Sequence, residues 1–450
     1  MNATQRMWLG TLAFAVVYTV LGAIRYATYH AGSDLGLFTQ SIATSFSTFA
    51  NTPEGGNHFT YHFSPILIAC APLLLATRSP LALVALQSIA GALVAPPLFF
   101  IARKRVGDGR ALAVAAVALL YPPLAGLTFA DFHENGFAPA ATLWLLWAVD
   151  AGRLRTAAFF AFVALSIKED QAVLLAAAGV FGALAFWRDG DLRRARFCAV
   201  GSLASVATFV VFFTIVRYAA GATAPWAPTH FYAWGPTEAR GQAPWFSIGR
   251  PAYVLEALVP LAFAALATPA FALAIPGLTE VLASHESITY TMGQHYAGVW
   301  IGYALFAFAL GIARIHAWSP VLSQRLLRVS LVLCALILAF ASPTHWGHNL
   351  RARTAHDAAR DRALARLDPA SEVGVSDALF AHLGFDPKAM LGLDRAPRYA
   401  LVDTRDRSSY VDERWAPIVT RGVATGALRL LWSEDGLGLY ERRSTGNWGG

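Results

Sequence analysis

Apolar residues run through most of this chain in long stretches separated by short polar ones. Trp8–Ile24, Pro80–Ala102 and Phe197–Val216 are each long enough to cross the apolar slab of a bilayer, about 30 Å or about 20 helical residues. They lack the two-residue alternation of barrel strands, and Ala/Leu/Val/Phe-rich runs satisfy their backbones in hydrocarbon as helices. The first run is preceded only by Arg6 and followed by no small-residue cleavage site, so it reads as a retained span rather than a signal peptide.

The basic residues orient these spans. Arg103-Lys104-Arg105 with Arg110, then Arg153 and Arg155, then Arg188 with Arg193, Arg194 and Arg196, then Arg314 with Arg325 and Arg328 form separate clusters. Short loops rich in Lys and Arg stay in the cytoplasm. With the N-terminus there too, Arg25–Arg78, Asp131–Gly136, Lys168–Asp170, Tyr218–Arg250 and Ser284–Tyr296 face outward. The alternation closes with about eleven spans and an outward C-terminus.

Thr156–Trp187 tests the scheme, because Lys168-Glu169-Asp170 interrupts an otherwise apolar run. One span would bury three charges and put its basic flanks on opposite sides. A hairpin keeps both flanks in the cytoplasm, with a first arm of only about 12 residues, short for a full crossing. The triplet then sits below the outer surface in a protein-lined pocket, where charges mark function by default. Pro65–Ala76 is apolar but short and reads as an interfacial helix ahead of the Pro80–Ala102 span.

After Ala341 the pattern changes. Pro343–Gly450 is rich in Arg and Asp, with short β-like runs at Glu372–Ser376, Tyr399–Val402 and Ala427–Leu431. Leu430-Leu431-Trp432 and Leu437–Tyr440 flank Glu434-Asp435-Gly436, a hairpin signal. The expected architecture is therefore mainly α: a polytopic transmembrane helical bundle over residues 1–342, whose long first outward loop covers 25–78. A small α/β or α+β extracytoplasmic domain over residues 343–450 follows.

Composition agrees. Of 450 residues, 56% are hydrophobic and only 14% charged, against about 25% charged in a soluble domain. The net charge of +7 is accounted for by the loop clusters and calls for no nucleic acid. The three cysteines, Cys70, Cys198 and Cys334, lie within apolar runs and read as small core residues.

The candidate chemistry is one-sided. Of twelve histidines, His316 alone falls in a cytoplasmic loop; seven lie in outward loops and four in the C-terminal segment. The first outward loop contains Asp34, which with Ser33 is placed to cap a short helix through Ser45. His58 and His62 stand four apart, so a helix would put both on one face. Such a pair can bind a metal, but Pro65 follows and no Glu lies between them, which favours hydrogen bonding to loop backbone. The later outward loops supply Asp131, His133 and Glu134, then Lys168, Glu169 and Asp170, then His230, His285, Glu286 and His295. Carboxylates, imidazoles and a cation suit acid–base work on an anionic substrate. The chain lacks a Gly-x-Ser-x-Gly elbow, a phosphate-cradling Gly-x-x-x-x-Gly-Lys loop and a His-Glu-x-x-His helix, which disfavours nucleotide chemistry and soluble-style hydrolysis.

In order, Gly32-Ser-Asp34-Leu-Gly-Leu-Phe-Thr-Gln40, His62-Phe-Ser-Pro65, Gln87, Asp131-Phe-His133, Lys168-Glu169-Asp170 and His295-Tyr296 resemble the motifs of a predicted-membrane-protein family. It is the domain of unknown function two thousand and seventy-nine. Val373-Gly-Val-Ser-Asp-Ala-Leu-Phe-Ala-His382-Leu and Tyr399-Ala-Leu-Val-Asp403 extend the resemblance into the tail. That family is similar in turn to the GT-C membrane glycosyltransferases, which use polyprenyl-phosphate sugars and carry an acidic residue in the first outward loop. Asp34 occupies that position.

The resemblance implies a multi-pass protein of the cell membrane that moves a sugar from a polyprenyl-phosphate donor to an acceptor at the outer face. It implies Asp34 as base or orienting group, with Asp131, His133, Glu169 and Asp170 supporting the site. Lys168 would neutralise the donor phosphate, and Gln40, His58, His62 and His295 would contact substrate. Asp34 stands alone rather than in an acidic doublet, so no metal and no cofactor is assigned. A transporter or lipid flippase is the alternative; it predicts inverted repeats and polar groups near the midplane, whereas no repeat is evident and the polar groups cluster on one side.

Overall fold

A computed structural model describes residues 1–224, 232, 246–405 and 410–443. Six described helices are long and apolar enough to cross a membrane: Ala3–Ala27, Leu81–Leu119, Glu169–Arg188, Leu192–Ala219, His295–Trp318 and Pro320–Phe340. Shorter apolar helices occupy Ile66–Thr77, Leu154–Leu165 and Pro269–Ala283. Among the described residues there are fewer long helices than the expected spans, partly because Leu81–Leu119 takes in two of them. Its helix breaks at Gly107, whose φ of 77° only glycine adopts cheaply, inside the Arg103–Arg110 stretch where the sequence places a loop.

The first helix shows how these segments partition. Met7, Thr11, Phe14 and Tyr18 recur at helical spacing and are buried. Leu9, Leu12, Val16 and Val20 on its other side are more than half exposed or close to it, although apolar. A soluble helix puts polar residues on that side; an apolar outer face fits hydrocarbon.

The chain forms two compact units. The first comprises Met1–Thr19, His62–Ile66 and Ala85–Trp346. Within it the expected hairpin is present: the twelve-residue Leu154–Leu165 helix, a turn through Lys168, and the Glu169–Arg188 helix. That second arm packs tightly on Leu192–Val211. A Cβ at Gly179 would lie 2.8 Å from the Cys198 carbonyl, and one at Gly182 would lie 2.9 Å from its sulfur. Ser202 donates to the Ala176 carbonyl across the same contact at 2.8 Å. Such close approach by small residues is how helices associate where burial from water gives no drive. All three cysteines are buried thiols.

The second unit comprises Val20–Tyr61, Leu67–Val84 and Gly347–Gly450. The C-terminal residues thus share a unit with most of the first outward loop, which a boundary at residue 342 alone does not express. Besides a short antiparallel pair, Ala50–Asn51 with Gly56–Asn57, it has a larger sheet of five described strands: β1 (Val373–Val375), β2 (Ala389–Leu391), β3 (Tyr399–Asp403), β4 (Leu428–Glu434) and β5 (Leu437–Arg442), in the order β2-β1-β3-β5-β4. β1 runs parallel to β2 and β3, whereas β3–β5 and β4–β5 are antiparallel. The last pair is the expected hairpin, turning on Asp435 (φ 50°) and Gly436 (φ 86°). The Ala355–Leu364 helix starts on a reciprocal cap between Thr354 and Asp357. Tyr29, Val373, Val375, Leu379, Phe380 and Leu401 share one core, so the first loop supplies part of the packing that holds the sheet.

Candidate functional site

In the first unit the polar site begins at the hairpin turn. Lys168 is extended (φ −162°, ψ 157°) and precedes a helix whose first turn holds Glu169 and Asp170. Carboxylates there complement the positive end of the helix dipole. The Ile66 N–H donates to the Ser166 carbonyl at 2.8 Å, fastening the turn to the segment after His62. Glu169 completes that clasp: one carboxylate oxygen meets His62 Nδ1 at 2.8 Å and the other accepts the Phe63 N–H at 2.8 Å.

A second loop meets the turn. Asp131-Phe-His133 leads into a 3₁₀ turn, Glu134–Phe137, and Glu134 is fully buried. Lys168 Nζ lies 3.9 Å from Glu134 Oε1 and 3.9 Å from Asp170 Oδ2. Both distances are ion pairs longer than direct hydrogen bonds. His133 Nδ1 is 3.1 Å from Glu134 Oε2, and its ring stacks on His295 at 3.6 Å with 6° between planes.

The loop is held by Gln87. Its carbonyl oxygen accepts the His133 N–H at 2.9 Å. Its amide points at the carbonyls of Leu127, Thr128, Ala130 and Asp131, all between 3.1 and 3.3 Å. Gly136 makes room, since a Cβ there would sit 2.8 Å from Gln87 Oε1.

Electrostatics keeps the cations charged. Burial alone would push His62 down, but the Glu169 carboxylate outweighs it and the net shift is upward, against Lys168. Burial would likewise lower Lys168; Asp170, Glu134 and Glu169 more than offset it and raise its pKa. Lys168 is thus a buried ammonium held charged, with the Glu134 and Asp170 carboxylates at 3.9 Å.

The sequence-expected residues therefore divide. Lys168, Glu169, Asp170, Asp131, His133, His62 and His295 belong to the first unit, with Lys168 linked to Glu134 and Asp170, Glu169 to His62, and His133 to His295. Asp34, Gln40 and His58 belong to the second. The expected cap is corrected: Gly32, not Ser33 or Asp34, caps the Ser33–Ala43 helix, and no side chain closes it. The helix ends at Ala43 rather than Ser45, and Asp34 is in its first turn. Gln40 donates to the carbonyls of Asp386 and Ala389 and accepts from the N–H and hydroxyl of Thr52. All four of its hydrogen-bonding positions are thus occupied within its own unit.

His58 and His62 do not share a helix face. The turn holding His58 ends at Thr60, and each ring takes its own carboxylate: Glu54 at 2.8 Å for His58, Glu169 for His62. His285 pairs with Glu286 at 3.4 Å. His230 lies outside the described residues. The sequence pattern does not point to Glu280, which is in the Ile275–Ala283 helix, within electrostatic reach of Asp170, Lys168 and Glu169. Its signal is a lone acid in an apolar run.

Apolar helices whose outer faces suit lipid, together with a buried Lys–carboxylate–imidazole cluster at helix ends, define a polytopic membrane protein with a polar site among its loops. The chain belongs to the predicted membrane protein family (DUF2079), whose family model matches residues 25–355. The fold is that of ArnT from Cupriavidus metallidurans. The structure of that protein bound to undecaprenyl phosphate aligns with a TM-score of 0.59 at 12% identity, over 98% of this chain and 99% of that one. Its apo state aligns with the same TM-score and identity over 97% and 98%. No curated protein matches the sequence.

Proposed function

We propose that this protein is a GT-C-type glycosyltransferase that moves a sugar from a polyprenyl-phosphate carrier to an acceptor hydroxyl at the outer face of the membrane. The observation that supports it most is the full-length likeness to a protein crystallised with undecaprenyl phosphate, combined with a buried, charged Lys168 beside carboxylates and imidazoles. In this reading the N-terminus is cytoplasmic, and the residues after Trp346 face outward, as the basic-loop alternation demands.

The reaction breaks the bond between the anomeric carbon and the phosphate oxygen and forms one between that carbon and the acceptor oxygen. The acceptor proton passes to a carboxylate, the role the family resemblance gives Asp34, and the carrier leaves as its phosphate, whose charge the same resemblance gives Lys168 to meet. Asp170 and Glu134 fix the position and charge of Lys168, while Gln87 and the stacked His133–His295 pair hold the loop that carries Glu134. Catalysis of this kind is mostly positioning and charge stabilisation.

The test is incubation of purified protein with labelled polyprenyl-phosphate sugars and candidate acceptors. Wild type should transfer label; Asp34→Asn and Lys168→Met should lose at least about 100-fold, the scale of a removed acid–base or oxyanion group, while eluting as folded protein. Full activity in Asp34→Asn would remove Asp34 from the role of base. Failure of the wild type to bind any polyprenyl phosphate would overturn the function itself.

A further inference from the structure

Away from the polar site, the first unit contains a groove of about 500 Å³, within the range of about 300–1,000 Å³ usual for small-molecule sites. Its walls come from the 138–150, 154–165, 169–188, 192–211 and 298–318 helices, and small residues such as Ala178, Gly182 and Ala204 hollow them out. Phe162 (72% exposed) and Val200 (64% exposed) line it and open it sideways to the region lipid occupies.

One end of the groove is charged. Asp150 lines it and is held by Arg105 and, at 3.5 Å, by Lys104. Phe186 lines it too and carries the Arg194 guanidinium over its ring at 5.3 Å. Arg153, in the turn after Asp150, stacks over Trp147 at 5.0 Å and has no ion pair among the described residues. Four cations (Lys104, Arg105, Arg153, Arg194) face two carboxylates (Asp150 and Asp191, the latter 3.1 Å from Arg194), a surplus of two positive charges.

From this polarity we infer that the groove is a binding site for an anionic phospholipid, with one acyl chain along the small-residue walls and the phosphate headgroup against Arg153 and Arg194. A basic rim beside a lateral apolar slot between spans is the chemistry that retains such a lipid. A partner helix would match the slot but leave the cationic surplus unanswered. The site is independent of the sugar-transfer reading.

The test uses full-length protein in detergent, with native mass spectrometry counting retained lipid. Dioleoylphosphatidylglycerol should bind about thirtyfold more tightly than dioleoylphosphatidylcholine, a factor of about five for each surplus charge. Arg153→Gln with Arg194→Gln should erase that preference. Ala178→Trp with Ala204→Trp, which fills the slot and leaves the rim intact, should reduce retention of both lipids. Each variant should elute and melt as wild type does. Equal binding of the two lipids by wild type, or a preference that survives the Arg153/Arg194 variant, would overturn the inference. So would displacement of bound phosphatidylglycerol by an equimolar amount of undecaprenyl phosphate, which would assign the slot to the carrier.

Discussion

The His62–Glu169 contact offers the sharpest test of how the site is built. Glu169 holds two neighbouring groups at 2.8 Å, the His62 ring and the Phe63 N–H, so it fastens an extended segment to a helix start. Breaking a fully buried pair costs about 3–5 kcal/mol. The His62 side chain, however, is 35% exposed against 10% for Glu169, so solvent screens part of the interaction. A charge-assisted hydrogen bond of about 1.5–3 kcal/mol is the better scale. A double-mutant cycle of His62→Phe and Glu169→Gln should therefore give a coupling of about 2 kcal/mol at about pH 6. Reversible unfolding in mixed micelles, followed by circular dichroism, provides the measurement. The sign of the pH dependence follows from the upward shift of His62. A raised folded-state pKa contributes stability in full below the unfolded value of 6.5 and loses it as pH rises through the folded value. Coupling should consequently shrink on moving to about pH 10. A coupling under about 0.5 kcal/mol at about pH 6, or one that grows with pH, would refute the ion-pair reading.

Two further outcomes are expected. Gly136→Val should push Gln87 out of the His133 loop and cost about 1–3 kcal/mol, the scale of an overpacked site. Its mark is a larger loss of stability than in Gly109→Val, where a Cβ meets nothing within 4 Å. In the second unit, the His382 ring lies between Tyr26 and Tyr29, with centroids at 4.0 and 4.1 Å, and burial pushes its pKa down from 6.5 to about 4. The unfolded chain takes up that proton first, so stability present above pH 6.5 should fall by up to about 3 kcal/mol on descent to about pH 4. His382→Phe should flatten that part of the melting-temperature profile; an unchanged slope would place the acid sensitivity elsewhere.

Local contrast made some elements legible. Lys168-Glu169-Asp170 stands out because three charges interrupt an apolar run with basic flanks at both ends, and only a hairpin reconciles them. The β4–β5 hairpin shows through Asp435-Gly436, whose backbone the turn itself dictates. β2 did not show, because Ala389–Leu391 is three residues long and its pairing with Val373–Val375 is parallel and non-local. Gln87 and Glu280 are single polar residues inside apolar helices, and nothing in their neighbours says whether each meets a backbone or a charge. The expected cap falls after the true one because Ser33 and Asp34 are better capping residues by type, whereas the backbone extends at Gly32. Gln40 carries no local mark of its bond to Asp386, which is 346 residues away.

That last separation has a consequence for biosynthesis. The second unit is assembled from three pieces, and its final piece begins at Gly347, 286 residues after its first piece ends at Tyr61 (347 − 61). At about 5–20 residues per second of translation, the Ser33–Ala43 helix waits roughly a quarter of a minute to a minute for the sheet that shares its unit. Throughout that interval Leu35, Phe38 and Ile42, all buried in the finished protein, belong to a unit still missing its largest piece. A ribosome-stalled chain ending before Gly347 should therefore be cut by protease in this segment, whereas the completed chain should resist.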